Sequence, residues 1–497
     1  MNALAYFLAL ISAGGLIAAF APFNLWPLAW VALAPIFIVY SKSSFRTSLA
    51  ATLLMGAVFF GGLLYWITIF GYAPWVLLAL FQALFFVGFC AVAYPAFRAR
   101  SAWFRLLVVP SVWTAFEWLR SLGLLGFTWG NLAQSQVNYL PVIQVVSVTG
   151  PWGLAFLIAA ANVALAELLL SRRTALAQAG LVAAAICAAI IWGAFALCAG
   201  RASGKPVRVA IIQGNVDQEV RPRQTWDEHR TRTIAEYVTI TSETLKRRPD
   251  LVIWPETAIP DQFSRPGGPR RLLGYLASAA RVYLLVGASD IVPGPSGDAM
   301  REYNGAFLFS PHGDLVGKYY KAHLVPFGEV VFGRKWLPFL ARYKIRDFDY
   351  APGPGYLPLR ADFGNLGVMI CFESIFPQIS RQLAKRGANV LVVMTNDAWF
   401  KRTAAAEQHH AMSVLRAVEN RRFLARCAAT GISSVIDPWG RVLDSAGIFR
   451  KKIIYRDIVP LTRQAPYTRL GDWFAYLCVV LSFAGLIWTR QSRMGDG

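Results

Sequence analysis

Three short stretches of this chain end on residues that can do chemistry. Leu251-Val-Ile-Trp-Pro-Glu256 sets a carboxylate directly after an apolar run, and Gly317-Lys-Tyr-Tyr-Lys321-Ala-His-Leu-Val-Pro-Phe-Gly-Glu329 sets a lysine just past another. Gly367-Val-Met-Ile-Cys371-Phe-Glu373-Ser places a thiol at a turn that leads into a helical segment. A thiol, a carboxylate and an ammonium form a working set: nucleophile, base, and a cation for the oxyanion that develops on an attacked carbonyl. Each residue alone has a plainer explanation, Glu256 as a loop acid, Lys321 as a solvated lysine and Cys371 as a buried core thiol. Their joint occurrence at three strand ends favours a site, because active sites of α/β sheets form where loops converge beyond the strands. The dipole of the helix behind Cys371 is expected to favour its thiolate.

The runs that lead to these residues predict the scaffold. Short β-branched stretches at Val207–Gln213, Asp250–Pro255, Tyr283–Ser289, Gly367–Cys371 and Asn389–Thr395 alternate with helical patterns near 226–247, 269–280, 376–386 and 405–420. A hairpin is predicted from Tyr303–Ser310 to Asp314–Tyr320, and further strands at Phe423–Thr430, Ser433–Asp437 and Arg441–Ser445. Continuous apolar strands imply burial on both faces, so a mixed sheet layered with helices is expected.

The rest of the chain is unlike a water-soluble protein. It has 497 residues, 56% hydrophobic and only 15% charged, against about 45–50% and 25% for soluble domains. Spans of about 20 apolar residues are expected near 3–22, 26–40, 49–71, 74–96, 104–121, 150–171, 179–199 and 473–489, the second being short enough to be re-entrant. The expected domains are a transmembrane bundle of seven spans over 1–200, a catalytic domain over 203–465, and a last span with its tail over 470–497. No cleavable signal peptide is expected, since Met1-Asn2 offers no basic leader. Lys42 and Arg46, then Arg98, Arg100 and Arg105, then Arg172 and Arg173, and finally Arg490 and Arg493 all fall on one side of the alternation, whereas loops 23–25, 72–73 and 122–149 carry no Lys or Arg. Basic loops stay cytoplasmic. Both termini are therefore expected inside and the 203–465 domain outside, which in a bacterium is the periplasm of the inner membrane. The net charge of +21 then suits anionic headgroups rather than nucleic acid. Glu117 and Arg120 read as a local pair on one helix face. No metal or cofactor is expected, for want of zinc spacing or a glycine-rich phosphate loop.

The three stretches resemble the nitrilase (carbon–nitrogen hydrolase) superfamily, whose triad is Glu, Lys and Cys in that chain order. Closer still are the apolipoprotein N-acyltransferases, in Trp-Pro-Glu256, Tyr-Lys321-Ala-His-Leu-Val-Pro-Phe-Gly-Glu329 and Ile-Cys371-Phe-Glu373. Ala21-Pro-Phe, Trp26-Pro, Leu33-Ala-Pro35, Asn396-Asp-Ala-Trp-Phe400, Gln408-His409 and Arg416-Ala-Val-Glu419-Asn420-Arg421 are similar too. The resemblance implies an αββα sandwich on a membrane bundle of about eight helices. It implies transfer of a phospholipid acyl group, through a thioester on Cys371, to the α-amine of a diacylglyceryl-cysteine at a lipoprotein N-terminus. It casts Glu256 as base and Lys321, with amides near Phe372, as oxyanion holder. Glu329 would orient Lys321, and Glu373 would support the nucleophile. Glu329 as a turn cap and Glu373 as a helix cap are the plainer alternatives. Trp226 is expected to face substrate by the same resemblance, and Trp336 and Phe339, in an aromatic and basic stretch over 330–350, are expected to meet lipid. The chain departs from the family at Lys401–Glu407, at Ala429 and at Phe372. A tethered amidase and a non-enzymatic scaffold are the rival readings.

Overall fold

The computed structural model describes residues 2–99, 101–170, 174–216, 225–265, 268–294, 300–331 and 349–495. They form two compact units, one of Met1–Gly200, Thr403–Ala411 and Arg469–Gly497, the other of Arg201–Arg402 and Met412–Thr468.

The first unit is helical because its sequence offers almost no polar side chain to compete for backbone hydrogen bonds. Its helices are α1 (Asn2–Ala19), α2 (Ala34–Lys42), α3 (Phe45–Leu63), α4 (Tyr72–Phe97), α5 (Ala102–Leu119), two short turns α6 (Leu140–Ile143) and α7 (Val146–Thr149), α8 (Pro151–Leu169) and α9 (Ala175–Ala199). Five of these, α1, α3, α4, α8 and α9, are long and apolar enough to cross a membrane. The span expected at 26–40 is broken. A 3-10 turn over Trp26–Trp30 precedes the nine-residue α2, and each piece begins on a proline that starts a helix but cannot continue one, Pro27 and Pro35. The chain nevertheless returns across the unit there. The Thr47 hydroxyl in the first turn of α3 donates to Asn2 Oδ1 at 3.4 Å, so α1 and α3 start at the same end.

Charges inside this unit are paired differently from expectation. Arg105 is no loop cation: it is buried in α5 and makes two 2.8 Å bonds to Glu167 of α8. Glu117 accepts from Asn131 Nδ2 and Leu132 N, and Arg120 donates to Gln82 Oε1 and Trp129 O. These two charges clamp the 128–132 loop, where unsatisfied backbone would otherwise be costly.

The second unit carries two sheets. Its elements are β1 (Val207–Gln213), α10 (Trp226–Thr244), β2 (Leu251–Ile253), β3 (Ile259–Gln262), α11 (Arg270–Ala280), β4 (Tyr283–Pro293), β5 (Met300–Phe309), β6 (Leu315–Tyr320), β7 (Leu366–Ile370), α12 (Pro377–Lys385), β8 (Val390–Thr395), α13 (Ala405–Asn420), β9 (Leu424–Ala428), β10 (Ser433–Ile436), β11 (Val442–Ala446) and β12 (Lys452–Ile458). The first sheet has the order β12-β1-β2-β4-β5-β6 with β3 beside β4, and the second runs β11-β10-β9-β8-β7. Strands β1, β2 and β4 are parallel, and two antiparallel steps through β5 bring β6 back to their direction. The ends of β2 and β6 therefore open on one edge. Alternate side chains of each sheet, among them Val209, Ile253, Leu308, Val368, Val392 and Ala425, fill one apolar core between the sheets. The opposite face of the first sheet packs on α10 and α11 through Tyr237, Trp254 and Leu273, and α12 packs on β7 and β8. This is the expected αββα layering. The chain ends with α14 (Pro466–Leu470) and α15 (Trp473–Gly495), and Asp472 at the start of α15 accepts from the indoles of Trp118 and Trp152.

Candidate active site

Glu256 follows β2 after Trp254-Pro255, and its carboxylate is buried. Oε1 accepts from Asn304 Nδ2 and Oε2 from the Asn396 amide, both at 2.7 Å. Asn396 follows β8, so this carboxylate ties the end of one sheet to the end of the other. The strand beside it is shaped to let it in. At Gly287 of β4 an added Cβ would meet the Pro255 carbonyl and lie 2.8 Å from Glu256 Cα.

Lys321 follows β6, and its backbone is held on both sides, N–H to Asn304 O at 2.9 Å and C=O from Gly353 N at 2.8 Å. The ammonium is almost wholly buried. It pairs with Glu329 at 2.9 Å and stands 3.9 Å from Glu256. Burial works against this ammonium, but Glu329, Cys371 and Glu256 outweigh it and hold its pKa above the ordinary lysine range. Glu329 also accepts from Val325 N at 2.9 Å. It thus pairs with the lysine and also closes the turn around Pro326.

Cys371 follows β7 in the left-handed region, φ +53°, a strained conformation for a non-glycine residue. It opens a five-residue 3-10 turn, Cys371–Ile375. Its own C=O accepts from Ser374 Oγ, and the buried Arg416 of α13 bonds Ile375 O at 2.7 Å. The residue is half-buried. Burial pushes the Cys371 thiol well up, the Glu256 carboxylate adds to the rise, and Lys321 and a bond with Thr395 pull against them. Burial thus works against the thiolate that the helix dipole was expected to favour. The turn behind the sulfur is too short for a strong dipole, and desolvation outweighs it. Glu256 is likewise pushed up by burial, against Lys321 and with Glu329.

Glu373 caps the turn that opens at Cys371, and it also binds beyond that turn. Its carboxylate is fully buried and accepts from Ile370 N at 2.8 Å, Ala322 N at 2.8 Å and His323 N at 3.1 Å, while the Tyr319 hydroxyl donates from 2.9 Å. It fastens the strand end carrying Cys371 to the segment that follows Lys321. Phe372 packs edge-on against Phe376 at 5.2 Å and near His323 at 5.9 Å. Trp226 stands apart from these groups, exposed at the start of α10 with its ring against His229. Trp336 and Phe339 lie outside the described residues. Asn304 lies outside every motif of the sequence, whereas Asn396, Tyr319 and His323 lie within motifs that gave them no role. Cys427 is a free thiol within the inter-sheet core.

A buried cation between two carboxylates, at strand ends that also carry a strained cysteine, sits on a fold of the nitrilase type: residues 208–467 match the carbon–nitrogen hydrolase family. Residues 12–164 match the N-terminal domain of apolipoprotein N-acyltransferases. The chain is 35% identical to the apolipoprotein N-acyltransferase of Geobacter metallireducens over 98% of this chain and 96% of the relative. For that of Methylococcus capsulatus the figures are 33%, 96% and 94%. The chain belongs to the apolipoprotein N-acyltransferase family. Among solved structures, Saccharomyces cerevisiae Nit3 of the nitrilase superfamily aligns with 22% identity over 52% of this chain and 93% of its own, at a TM-score of 0.41.

Proposed function

We propose that this protein is a membrane acyltransferase that moves a fatty acyl group from a phospholipid to the N-terminal amine of a diacylglyceryl-modified lipoprotein, through a thioester on Cys371. Glu256 takes the thiol proton as sulfur attacks the ester carbonyl. Lys321 and the backbone amide near Phe372 hold the oxyanion, Glu329 orients Lys321, and Glu373 supports the turn bearing the nucleophile. As the carbon–oxygen bond breaks, Glu256 returns the proton to the departing lysophospholipid. The lipoprotein amine then attacks the thioester, Glu256 accepts its proton, the carbon–nitrogen bond forms and the thiol is restored, a ping-pong sequence. Trp226, Trp336 and Phe339 are assigned to the lipid and substrate approach. The basic loops support a catalytic domain on the periplasmic side of a bacterial inner membrane with both termini cytoplasmic.

The observation that carries this reading is the buried Lys321 ammonium, 2.9 Å from Glu329 and 3.9 Å from Glu256, whose field Cys371 feels. Mass spectrometry of the purified protein after incubation with phospholipid tests it. The Cys371 peptide should gain a hydroxylamine-labile fatty acyl mass, lose it on addition of a diacylglyceryl-cysteine peptide, and carry none in Cys371→Ala. Acyl transfer surviving in Cys371→Ala would overturn the reading.

A further inference from the structure

Two carboxylates flank the single Lys321 ammonium, and both lie against a third side chain outside the three motifs. Asn304 of β5 is 2% exposed. Its Nδ2 donates to Glu256 Oε1 at 2.7 Å and lies 3.4 Å from Glu329 Oε1, while its carbonyl accepts the Lys321 amide at 2.9 Å. One residue thus holds the acid through its side chain and the backbone of the cation through its main chain. The other end of the amide is informative: Asn304 Oδ1 is buried with no hydrogen-bond partner. A buried acceptor left unpaired costs free energy, so an amide kept only for stability would be partnered at both ends. What Nδ2 does must justify it, and charged or apolar residues could not do the same. Asp would add a third negative charge, Lys or Arg would compete with Lys321 for the carboxylates, and Leu would leave them bare.

We propose that Asn304 is a positioning residue that fixes the Glu256 carboxylate relative to Lys321, so that Glu256 is held ready to receive the Cys371 proton. This rests on the roles given above to Glu256, Lys321 and Cys371. The other groups around that carboxylate are Glu329 and Lys321 from beyond β6, Cys371 beyond β7, and Asp397 beyond β8, the last paired at 2.8 Å with Arg426 of β9. His323 stands by Lys321 as a further titratable group. Against an excess of carboxylates, a neutral amide supplies N–H without a competing charge.

The test uses the full-length protein in detergent. The rate at which iodoacetamide alkylates Cys371, read on its own peptide, is measured against pH in the wild type, Asn304→Leu, Asn304→Ala and Asn304→Asp. Loss of the donor should move the midpoint upward by about one pH unit in the Leu and Ala variants, and Asn304→Asp should move it further. The rate at high pH should be largely retained. An unmoved midpoint in any of these variants that unfolds thermally like the wild type overturns the proposal, as does a lower plateau at an unmoved midpoint, which a merely structural role would give. Alkylation needs no acyl donor, so the two readings fail separately. A shifted midpoint without any acyl-enzyme in the wild type refutes the transferase mechanism alone, and an acyl-enzyme with an unmoved midpoint refutes Asn304 alone.

Discussion

An imidazole beside a buried ammonium has little choice of charge. His323 follows Lys321 by two residues, its ring packs 4.3 Å from Phe376, and its buried Nε2 has no hydrogen-bond partner. Burial, and then the Lys321 charge, lower its pKa to about 4, so the folded protein holds it neutral where an unfolded chain would begin to protonate it near 6.5. The unfolded state then binds more protons between those values, and stability falls as pH drops from about 6.5 to 4, by roughly 3 kcal/mol. His323→Phe keeps the ring contact and removes that proton. Chemical denaturation of both proteins at pH 7 and pH 4.5 should show the wild type losing about 2.4 kcal/mol more stability than the variant, and equal losses would refute the account. Glu256 and Glu373 do not confuse the comparison, since both keep the same carboxylates in the two proteins. Glu256, Lys321 and Cys371 were legible in the sequence because each directly follows an apolar run, where a charged or reactive side chain is conspicuous. His323, Tyr319 and Asn304 were not, because what they do is decided by residues up to 54 positions away, as in the Tyr319–Glu373 bond.

At the scale of elements, the site depends on how closely strands approach one another. Gly287 lies in β4 opposite Ala306 of β5, and the space where its Cβ would stand is filled by the Pro255–Glu256–Thr257 backbone. Gly287→Ala must push that turn outward, since backbone cannot rotate aside as a side chain would. Overpacking of this kind costs about 1–3 kcal/mol, visible as a lower thermal midpoint. The displaced Glu256 should slow acylation of Cys371 more than 10-fold at a temperature where the variant is still folded. Normal acylation with a lowered midpoint would mean that the turn relaxes without moving the carboxylate. Most strands were readable, because period and composition agree in a buried β-branched run. Two were not. β12 mixes exposed, half-buried and buried residues without a regular alternation and carries Lys452, Arg456 and Asp457, so only its pairing with β1 makes it a strand. β3 has four residues with a proline among them, too short to leave a periodic signal. The break at 26–42 was hidden for the opposite reason: its residues are as apolar as a continuous helix, and only Pro27 and Pro35 mark the ends of its pieces.

For the whole molecule, the order of segments and the placement of charge carry the orientation, and the broken 26–42 segment is the step on which it turns. A nine-residue helix rises about 14 Å, half the apolar thickness of a bilayer, so α2 does not cross alone. The contact between Asn2 and Thr47 requires the chain to come back from the end of α1 to the start of α3, and the 3-10 turn and α2 together make that return. Counted as one crossing, it keeps the N-terminus, Lys42 and Arg46, Arg98 and the Arg490–Arg493 tail on a single side. Removing Arg105 from the loop cations, because it pairs with Glu167, leaves that alternation unchanged. In a chain freed of its six cysteines, single cysteines at Asn2 and Ser492 should resist a membrane-impermeant maleimide in intact inner-membrane-exposed cells, whereas one at Ser203 should label at once; permeabilisation should expose all three. Labelling of the Asn2 variant alongside that at Ser203, with Ser492 protected, would make 26–42 a re-entrant segment. Labelling at Ser492 with protection at Ser203 would invert the molecule and remove the periplasmic acyl transfer proposed for it.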